Sequence, residues 1–100
     1  MLTIPIKGRW YRMILYCEKK EEYREIKPYW RKRFHTAGLC FSNGMPKAPA
    51  EVLFVNGYGN DRPAMKARVR LSIGKGRPEW GAEPGKIYYK LIILEREKVR

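Results

Sequence analysis

The densest cluster of reactive side chains is the octet Cys-Glu-Lys-Lys-Glu-Glu-Tyr-Arg at residues 17–24, which surrounds one aromatic ring with three basic and three acidic groups. If its second half is extended, successive side chains alternate between two faces, so Glu22 and Arg24 share one face and Tyr23 lies on the other. A carboxylate beside a guanidinium, with Lys19 at the entrance of the strand, predicts a polar clamp. The alternative is a solvated run of mixed charge, which is common on protein surfaces.

The clamp offers groups that suit a nucleotide. Arg24, Lys19 and Lys20 can hold phosphates, and Glu22 can accept a hydrogen bond from a base amino group. Tyr58, beside the turn pair Asn56-Gly57, is the aromatic residue that we expect to stay partly exposed. For each aromatic residue, the alternative to base stacking is burial in the core. The candidates for base stacking are Tyr23, Tyr29, Trp30 and Tyr58.

Two other classes of function use the same residues or the same surface. A Lys19–Glu22 pair can serve acid–base chemistry if burial shifts its pKa values, which makes a small enzyme the first alternative. A Ser-His-Asp site is not predicted, because the single histidine, His35, lies in a basic and aromatic stretch that favours phosphate contact or partial burial. A protein-interaction module is the second alternative, and it predicts an exposed apolar patch.

The charge balance favours a polyanionic partner. The chain carries 22 Lys and Arg against 10 Asp and Glu, a formal net charge of +12 over 100 residues. Such a surplus attracts nucleic acid, the commonest polyanion of the cytosol. Basic residues interleaved with aromatic ones are typical of proteins that bind single-stranded RNA. The alternative is a charge that only keeps the protein in solution.

Several classes of protein are not expected. No apolar run approaches the roughly 20 residues of a membrane helix, and the first residues do not resemble a signal peptide. We therefore expect one cytoplasmic domain over residues 1–100, with Cys17 and Cys40 reduced and no membrane partner. One histidine and two unpartnered cysteines do not build a zinc site, so neither a metal nor a cofactor is predicted. We take the chain as a monomer.

Hydrophobic periodicity predicts the elements. Apolar residues at i, i+3, i+4 and i+7 predict a first helix, with a core-facing stripe of Trp10, Met13, Ile14 and Cys17. Pro28 suits the first turn of a second helix over residues 28–34. Strands are predicted at residues 2–6, 21–26, 51–58, 65–73 and 87–94, with a short one near 39–41. This content predicts an α+β, mostly β, pseudobarrel of five or six mainly antiparallel strands with two short helices.

Two strands carry further information. Pro5 has no N–H to donate to a sheet, so the first strand is expected at an edge. In the strand at residues 65–73, clean alternation places Arg68 and Arg70 on the polar face. We predict that these two guanidinium groups contact phosphates of a bound RNA.

The octet also resembles the signature of the ASCH domain family, G-x-K-x-x-E-x-R, which belongs to the PUA-like superfamily. Lys19, Glu22 and Arg24 match it, and Cys17 stands where the family has glycine. The surrounding elements are similar in order: a short apolar strand and a helix before the motif, then a strand containing residues 52–58, then two terminal strands. The resemblance implies a PUA-like pseudobarrel that binds RNA or a nucleotide-like ligand in a cleft at the motif.

Some proteins related to the ASCH family are amidohydrolases of acylated cytidine, and others have been described as ribonucleases. In these amidohydrolases, a lysine and a threonine of this motif look like part of the catalytic set. Lys19 matches that lysine, but Glu22 occupies the place of the threonine. The resemblance therefore does not carry the amidohydrolase activity to this chain. It leaves Lys19 and Glu22 as the catalytic candidates if the protein is an enzyme.

Overall fold

The computed structural model describes residues 1–59 and 61–100. Five strands and two helices confirm the predicted α+β, mostly β, class. A short 3-10 turn, Pro78–Trp80, interrupts the loop before the last strand. In chain order the elements are β1 (Leu2–Ile6), α1 (Gly8–Leu15), β2 (Glu21–Glu25), α2 (Pro28–Thr36), β3 (Ala50–Asn56), β4 (Ala64–Lys75) and β5 (Ile87–Lys98).

The five strands form one mixed sheet in the order β1-β3-β4-β5-β2. β1 runs parallel to β3, and the other three pairs are antiparallel. The sheet curves into a half-barrel whose two ends are β1 and β2, so an open seam separates these strands. The register of β4 and β5 shifts between Arg68 and Val69, and such a bulge bends and twists a strand pair. Pro5 lies in an end strand, as predicted.

The core fills the face of the sheet that the helices cover. Alternate residues of β4 and β5 point there, because side chains of a strand alternate between its faces. Phe34 of α2 meets Tyr89 of β5 edge-on, with ring centroids 5.4 Å apart. The buried residues of this core include Ile4, Ile6, Tyr11, Ile14, Phe34, Met65, Val69, Leu71, Tyr89, Leu91 and Ile93.

The predicted stripe of α1 is wrong at its end, and of its other members Ile14 is buried whereas Trp10 and Met13 are half-buried. Cys17 is exposed, and the helix has already stopped at Leu15. Cys17 adopts φ 65°, the left-handed conformation that closes helices at a C-terminal cap. The N–H of Glu18 donates to the carbonyl of Met13 at 2.8 Å, which completes this cap. Tyr11, at 2% exposed, takes the core position instead.

The remaining boundaries differ little from the predictions. The short strand expected near residues 39–41 is a single bridge between Cys40 and Pro46. The last strand extends to Lys98 and has a neighbour on each side, β4 and β2. Alternation in β4 also holds: Arg68 and Arg70 are exposed, whereas Val69 between them is buried.

Candidate functional site

An open cleft of about 390 Å³ lies at the seam between β1 and β2. Five parts of the chain contribute its walls: β1, the first turn of α1, β2, the turn after β3 and the loop after β4. Pockets of roughly 300–1,000 Å³ are typical of small-ligand sites. Its lining includes Pro5, Lys7, Trp10, Glu22, Tyr23, Arg24, Tyr58, Trp80 and Gly81.

Glu22 holds two cations at once. Its Oε1 lies 3.0 Å from Nζ of Lys19, and its Oε2 accepts a hydrogen bond of 2.7 Å from Nη1 of Arg24. Glu22 and Arg24 point to the same side because they are two residues apart on β2, and their register partners are the core residues Leu91 and Tyr89. Glu22 is only 5% exposed, so this is a buried ion-pair cluster and not a solvated charge run.

Arg24 joins the two ends of the sheet. Its Nη2 donates to the carbonyl of Pro5 at 2.9 Å, and its Nη1 also donates to the carbonyl of Tyr23 at 2.7 Å. The guanidinium lies 5.1 Å from the ring centroid of Trp30. Arginine has five N–H donors, and the described residues, Glu22 among them, use three. The other two donors have no acceptor among the described residues.

Lys19 lies behind the cleft. It is 1% exposed, and its ammonium group donates to the carbonyl of Trp80 as well as contacting Glu22. The rings of Trp10 and Tyr23 each have their centroid 4.9 Å from Nζ. Burial lowers the pKa of Lys19, and the Glu22 carboxylate opposes that shift. Lys19 therefore supports the carboxylate and the loop after β4, and it presents no free surface to a phosphate.

Tyrosine hydroxyls hold the loop between β4 and β5 against the strands β2 and β5. The Tyr23 hydroxyl accepts a hydrogen bond from the N–H of Arg77 and donates to Oε1 of Glu21, both at 2.9 Å. The Tyr88 hydroxyl accepts from the N–H of Glu83 at 2.9 Å. Burial raises the pKa of Tyr23. Tyr23 is thus a structural anchor, with little ring surface left on which a base could stack.

Glycines permit the close packing of this loop. A Cβ on Gly76 would lie 2.6 Å from Cβ of Ala82 and 2.7 Å from the Tyr23 ring. A Cβ on Gly81, which has φ 101°, would lie 3.1 Å from the ring of Trp10. Trp80 and Gly81 reach the cleft because of these contacts. The sequence interpretation missed Trp10 and Trp80 as wall residues, although a tryptophan in a loop rich in Gly and Pro is a usable signal.

The aromatic side chains of the cleft differ in how far they are covered. Trp10 and Trp80 are half-buried, and each has an arginine over its ring, Arg9 at 4.7 Å and Arg77 at 4.9 Å. Tyr58 is 84% exposed at the rim, which confirms its predicted exposure. Its ring is therefore the most accessible one at the cleft.

Two other stacking candidates lie on α2. Tyr29 lies outside the cleft lining and is covered by Arg33, whose guanidinium is 3.5 Å from the ring centroid. Trp30 stacks on Phe34 at 5.6 Å between centroids and packs against the core. Neither ring offers a free face at the cleft comparable to that of Tyr58.

The other basic candidates lie apart from the cleft. Lys20 is exposed and does not line it. Arg68 and Arg70 lie on the outer face of β4, and the register places Arg68 opposite both Glu51 and Glu95. The structure therefore brings together Glu22, Tyr23, Arg24 and Tyr58, with Lys19 directly behind them, and separates them from Lys20, Arg68 and Arg70.

No protein-family model, curated protein or solved structure matches this chain. Across residues 1–59 and 61–100, no group of three or more His, Cys, Asp or Glu side chains could hold a metal ion. Within the same residues, no helix is long and apolar enough to cross a membrane. The two cysteines are free, and His35 has its Nδ1 3.1 Å from the carbonyl oxygen of Cys40.

Proposed function

We propose that this protein is an RNA- or nucleotide-binding module of the ASCH-like, PUA-superfamily type, and that its cleft takes an unpaired base. The observation that carries the proposal is the cluster of Glu22 and Arg24 in the wall of a cleft whose rim bears an exposed tyrosine, Tyr58. Glu22 can accept from a base amino group, since each carboxylate oxygen has a second lone pair. The two unused donors of Arg24 suit a phosphate or a base carbonyl.

Charge and size support this ligand class. A chain with a formal net charge of +12 favours an anionic partner, and the cleft of about 390 Å³ lies within the range for small ligands. An exposed tyrosine in the same cleft as a guanidinium is a combination that single-strand binders use, because every base has a flat face that stacks.

The backbone at Cys17 supports the resemblance to the ASCH family. Cys17 is the position at which the octet departs from the family signature, which has glycine there. Its φ of 65° belongs to the conformation that glycine adopts most easily. The same helix cap with glycine would place the following lysine, glutamate and arginine in the same way. The departure at Cys17 is therefore a change of residue at a position where the backbone itself favours glycine.

Binding of labelled single-stranded RNA tests the proposal, with Tyr58→Ala as the decisive variant and Tyr58→Phe as its conservative partner. Loss of one stacked base costs about 1–3 kcal/mol, so Tyr58→Ala should weaken binding roughly 5- to 150-fold. Tyr58→Phe keeps the ring and should stay near the unmodified protein. Tyr16→Ala is the matched control, because Tyr16 is 69% exposed and does not line the cleft.

Two results would refute this function. Equal RNA affinities for Tyr58→Ala and Tyr16→Ala would show that the cleft does not contribute to RNA binding. Turnover of RNA or of an acylated nucleoside that is lost in Glu22→Asp would favour the enzyme alternative, because proton transfer depends sharply on the position of the carboxylate. A binding cleft tolerates that one-methylene retraction, since a water can bridge the gap. Native mass spectrometry of the purified protein would identify any nucleotide that copurifies.

A further inference from the structure

The positive surplus of the chain is concentrated on its helical side. Residues 1–17 and 26–50 contain eight lysines and arginines and neither aspartate nor glutamate, so they supply eight of the twelve surplus charges. Both helices lie in these stretches. Among the described residues, none of these eight cations forms an ion pair with a carboxylate. The other 14 cations share their part of the sequence with all ten carboxylates.

Helix α2 presents these charges outward. Phe34 is fully buried in the core, whereas Arg31, Lys32 and Arg33 are exposed. A groove of about 600 Å³ separates α2 from the start of β1, and its walls include Lys32, Arg33 and Thr36. The carboxylate in this groove, Glu51, has its Oε2 3.8 Å from Nζ of Lys66. Guanidinium, ammonium and hydroxyl groups around a groove are donors that suit phosphate oxygens.

The groups of α2 are continuous with the cleft. Trp30, in the first turn of α2, has its ring centroid 5.1 Å from the guanidinium of Arg24, which lines the cleft. Lys7, another cation without an ion pair among the described residues, stands in the cleft wall beyond β1. A strand that places one base in the cleft can therefore continue over α2, where the cations outnumber the carboxylates.

The polar face of β4 is the rival surface, and its electrostatics differ. Arg68 lies opposite Glu51 and Glu95 in the sheet, and the groove at this place is lined by three carboxylates and three cations, so its charges balance. Opposite charges on neighbouring strands cancel part of the field that attracts an anion. The guanidinium of Arg68 is thus a poorer phosphate contact than its exposure alone indicates.

From these observations we infer that the outer face of α2 is the surface that binds the phosphates of an RNA strand, in place of the strand face that carries Arg68 and Arg70. The connection of this surface to a base in the cleft rests on the proposed function. The partner is single-stranded RNA, because a flexible single strand can bend from the cleft across a helix. Its phosphates need only cations spaced roughly along that path.

A pair of matched double variants tests this inference. Lys32→Gln/Arg33→Gln and Arg68→Gln/Arg70→Gln each remove two exposed cations from one of the two surfaces, and each lowers the formal net charge from +12 to +10. The probe is a single-stranded RNA of roughly 15 nucleotides, measured over a range of salt concentrations. Each lost phosphate contact reduces the steepness of the plot of log binding constant against log salt concentration by about 0.7. The double variant in α2 should therefore reduce this slope by about 1.4. The β4 double should leave the slope nearly unchanged.

The fold of α2 needs its own control. Arg33 donates to the carbonyl of Tyr29 at 3.2 Å and stacks on its ring, so its loss can weaken the helix. Lys27→Gln/Lys32→Gln removes the same charge from two exposed side chains without that contact, and it should flatten the slope by the same amount. An unchanged thermal midpoint in this second double shows that the effect does not come from unfolding.

The outcomes separate the inference from the proposed function. Equal slopes for the α2 and β4 doubles would overturn the inference, and a loss of affinity in Tyr58→Ala would still support the cleft. Flattening by the α2 double with no effect of Tyr58→Ala would support the α2 surface and refute the cleft. Retention of phosphatidylserine vesicles through α2, with no RNA binding at all, would overturn the inference in favour of a lipid surface.

Discussion

Replacing Glu22 by glutamine should destabilise the protein more than removing either of its cationic partners. Glu22 is the sole carboxylate within 4.0 Å of Lys19 and Arg24 among the described residues, and Lys19 is 1% exposed. In Glu22→Gln the amide oxygen can accept from one cation, and the other then faces an N–H₂ group. Breaking a buried pair in this way, which leaves an uncompensated charge, costs about 3–5 kcal/mol.

Lys19→Met is the informative comparison. It removes the buried charge together with its contacts, and Glu22 keeps its hydrogen bond of 2.7 Å to Arg24. The free energy of unfolding then falls by the contribution of hydrogen bonds to a charged group, about 1.5–3 kcal/mol. In the double variant both members of the pair are absent, so its loss should be smaller than the sum of the single losses by about 1–3 kcal/mol.

Urea unfolding followed by fluorescence of the three tryptophans measures these differences. With an m-value of about 1–3 kcal/mol/M, a loss of 4 kcal/mol lowers the midpoint by roughly 2 M. The free energy of unfolding of a domain of this size is about 5–15 kcal/mol in total, so Glu22→Gln should be close to the limit of folding. The reasoning is refuted if Glu22→Gln loses less than about 1 kcal/mol, or if Lys19→Met loses more than Glu22→Gln.

Three further changes have defined outcomes. Cys17→Gly should raise the thermal midpoint relative to Cys17→Ala, by about 4–8 °C for roughly 1 kcal/mol, because glycine relieves the left-handed backbone at φ 65°; equal midpoints would contradict this. Gly76→Ala should lose about 1–3 kcal/mol in urea unfolding, since its Cβ would lie 2.7 Å from the Tyr23 ring, and a stability equal to that of the unmodified protein would mean that the loop moves freely. Burial lowers the pKa of Lys19 below its ordinary value of 10.5, so between the folded and the ordinary value the unfolded chain binds more protons and the free energy of unfolding rises with pH. Lys19→Met should lack that rise when the unfolding of both proteins is followed up to pH 10.5, because the tyrosines titrate in both, and an identical pH slope would exclude Lys19 as its source.

Local patterns predicted most of the elements, because alternation and helical spacing are properties of neighbouring residues. The strand at residues 2–6, the edge position of Pro5 and the second helix all followed from them. The end of α1 could not be predicted in this way, because it depends on the left-handed backbone of Cys17. Cysteine has no preference for that conformation that would mark a helix end. A residue with a known preference for that conformation, such as glycine, would have marked the boundary.

The candidate site was predictable only in part. The shared face of Glu22 and Arg24 followed from strand alternation, whereas the approach of Arg24 to Pro5 joins residues 19 positions apart and depends on the curvature of the whole sheet. The pairing of Arg68 with Glu51 and Glu95 is likewise a matter of sheet register. The acid-free run at residues 26–50 was readable from the sequence, and it is the signal that locates the basic surface on α2.

The cleft exists because side chains, and not backbone, connect the two ends of the half-barrel. If β1 and β2 were paired, the carbonyl of Pro5 would accept from a backbone N–H and the seam would be closed. Instead a guanidinium spans the gap, and two of its donors have no acceptor among the described residues. Removing Arg24 therefore changes the fold and the site together, so a loss of binding in Arg24→Ala has two explanations. Tyr58 is separable in a way that Arg24 is not, because its exposed ring contributes to the cleft and almost nothing to the core.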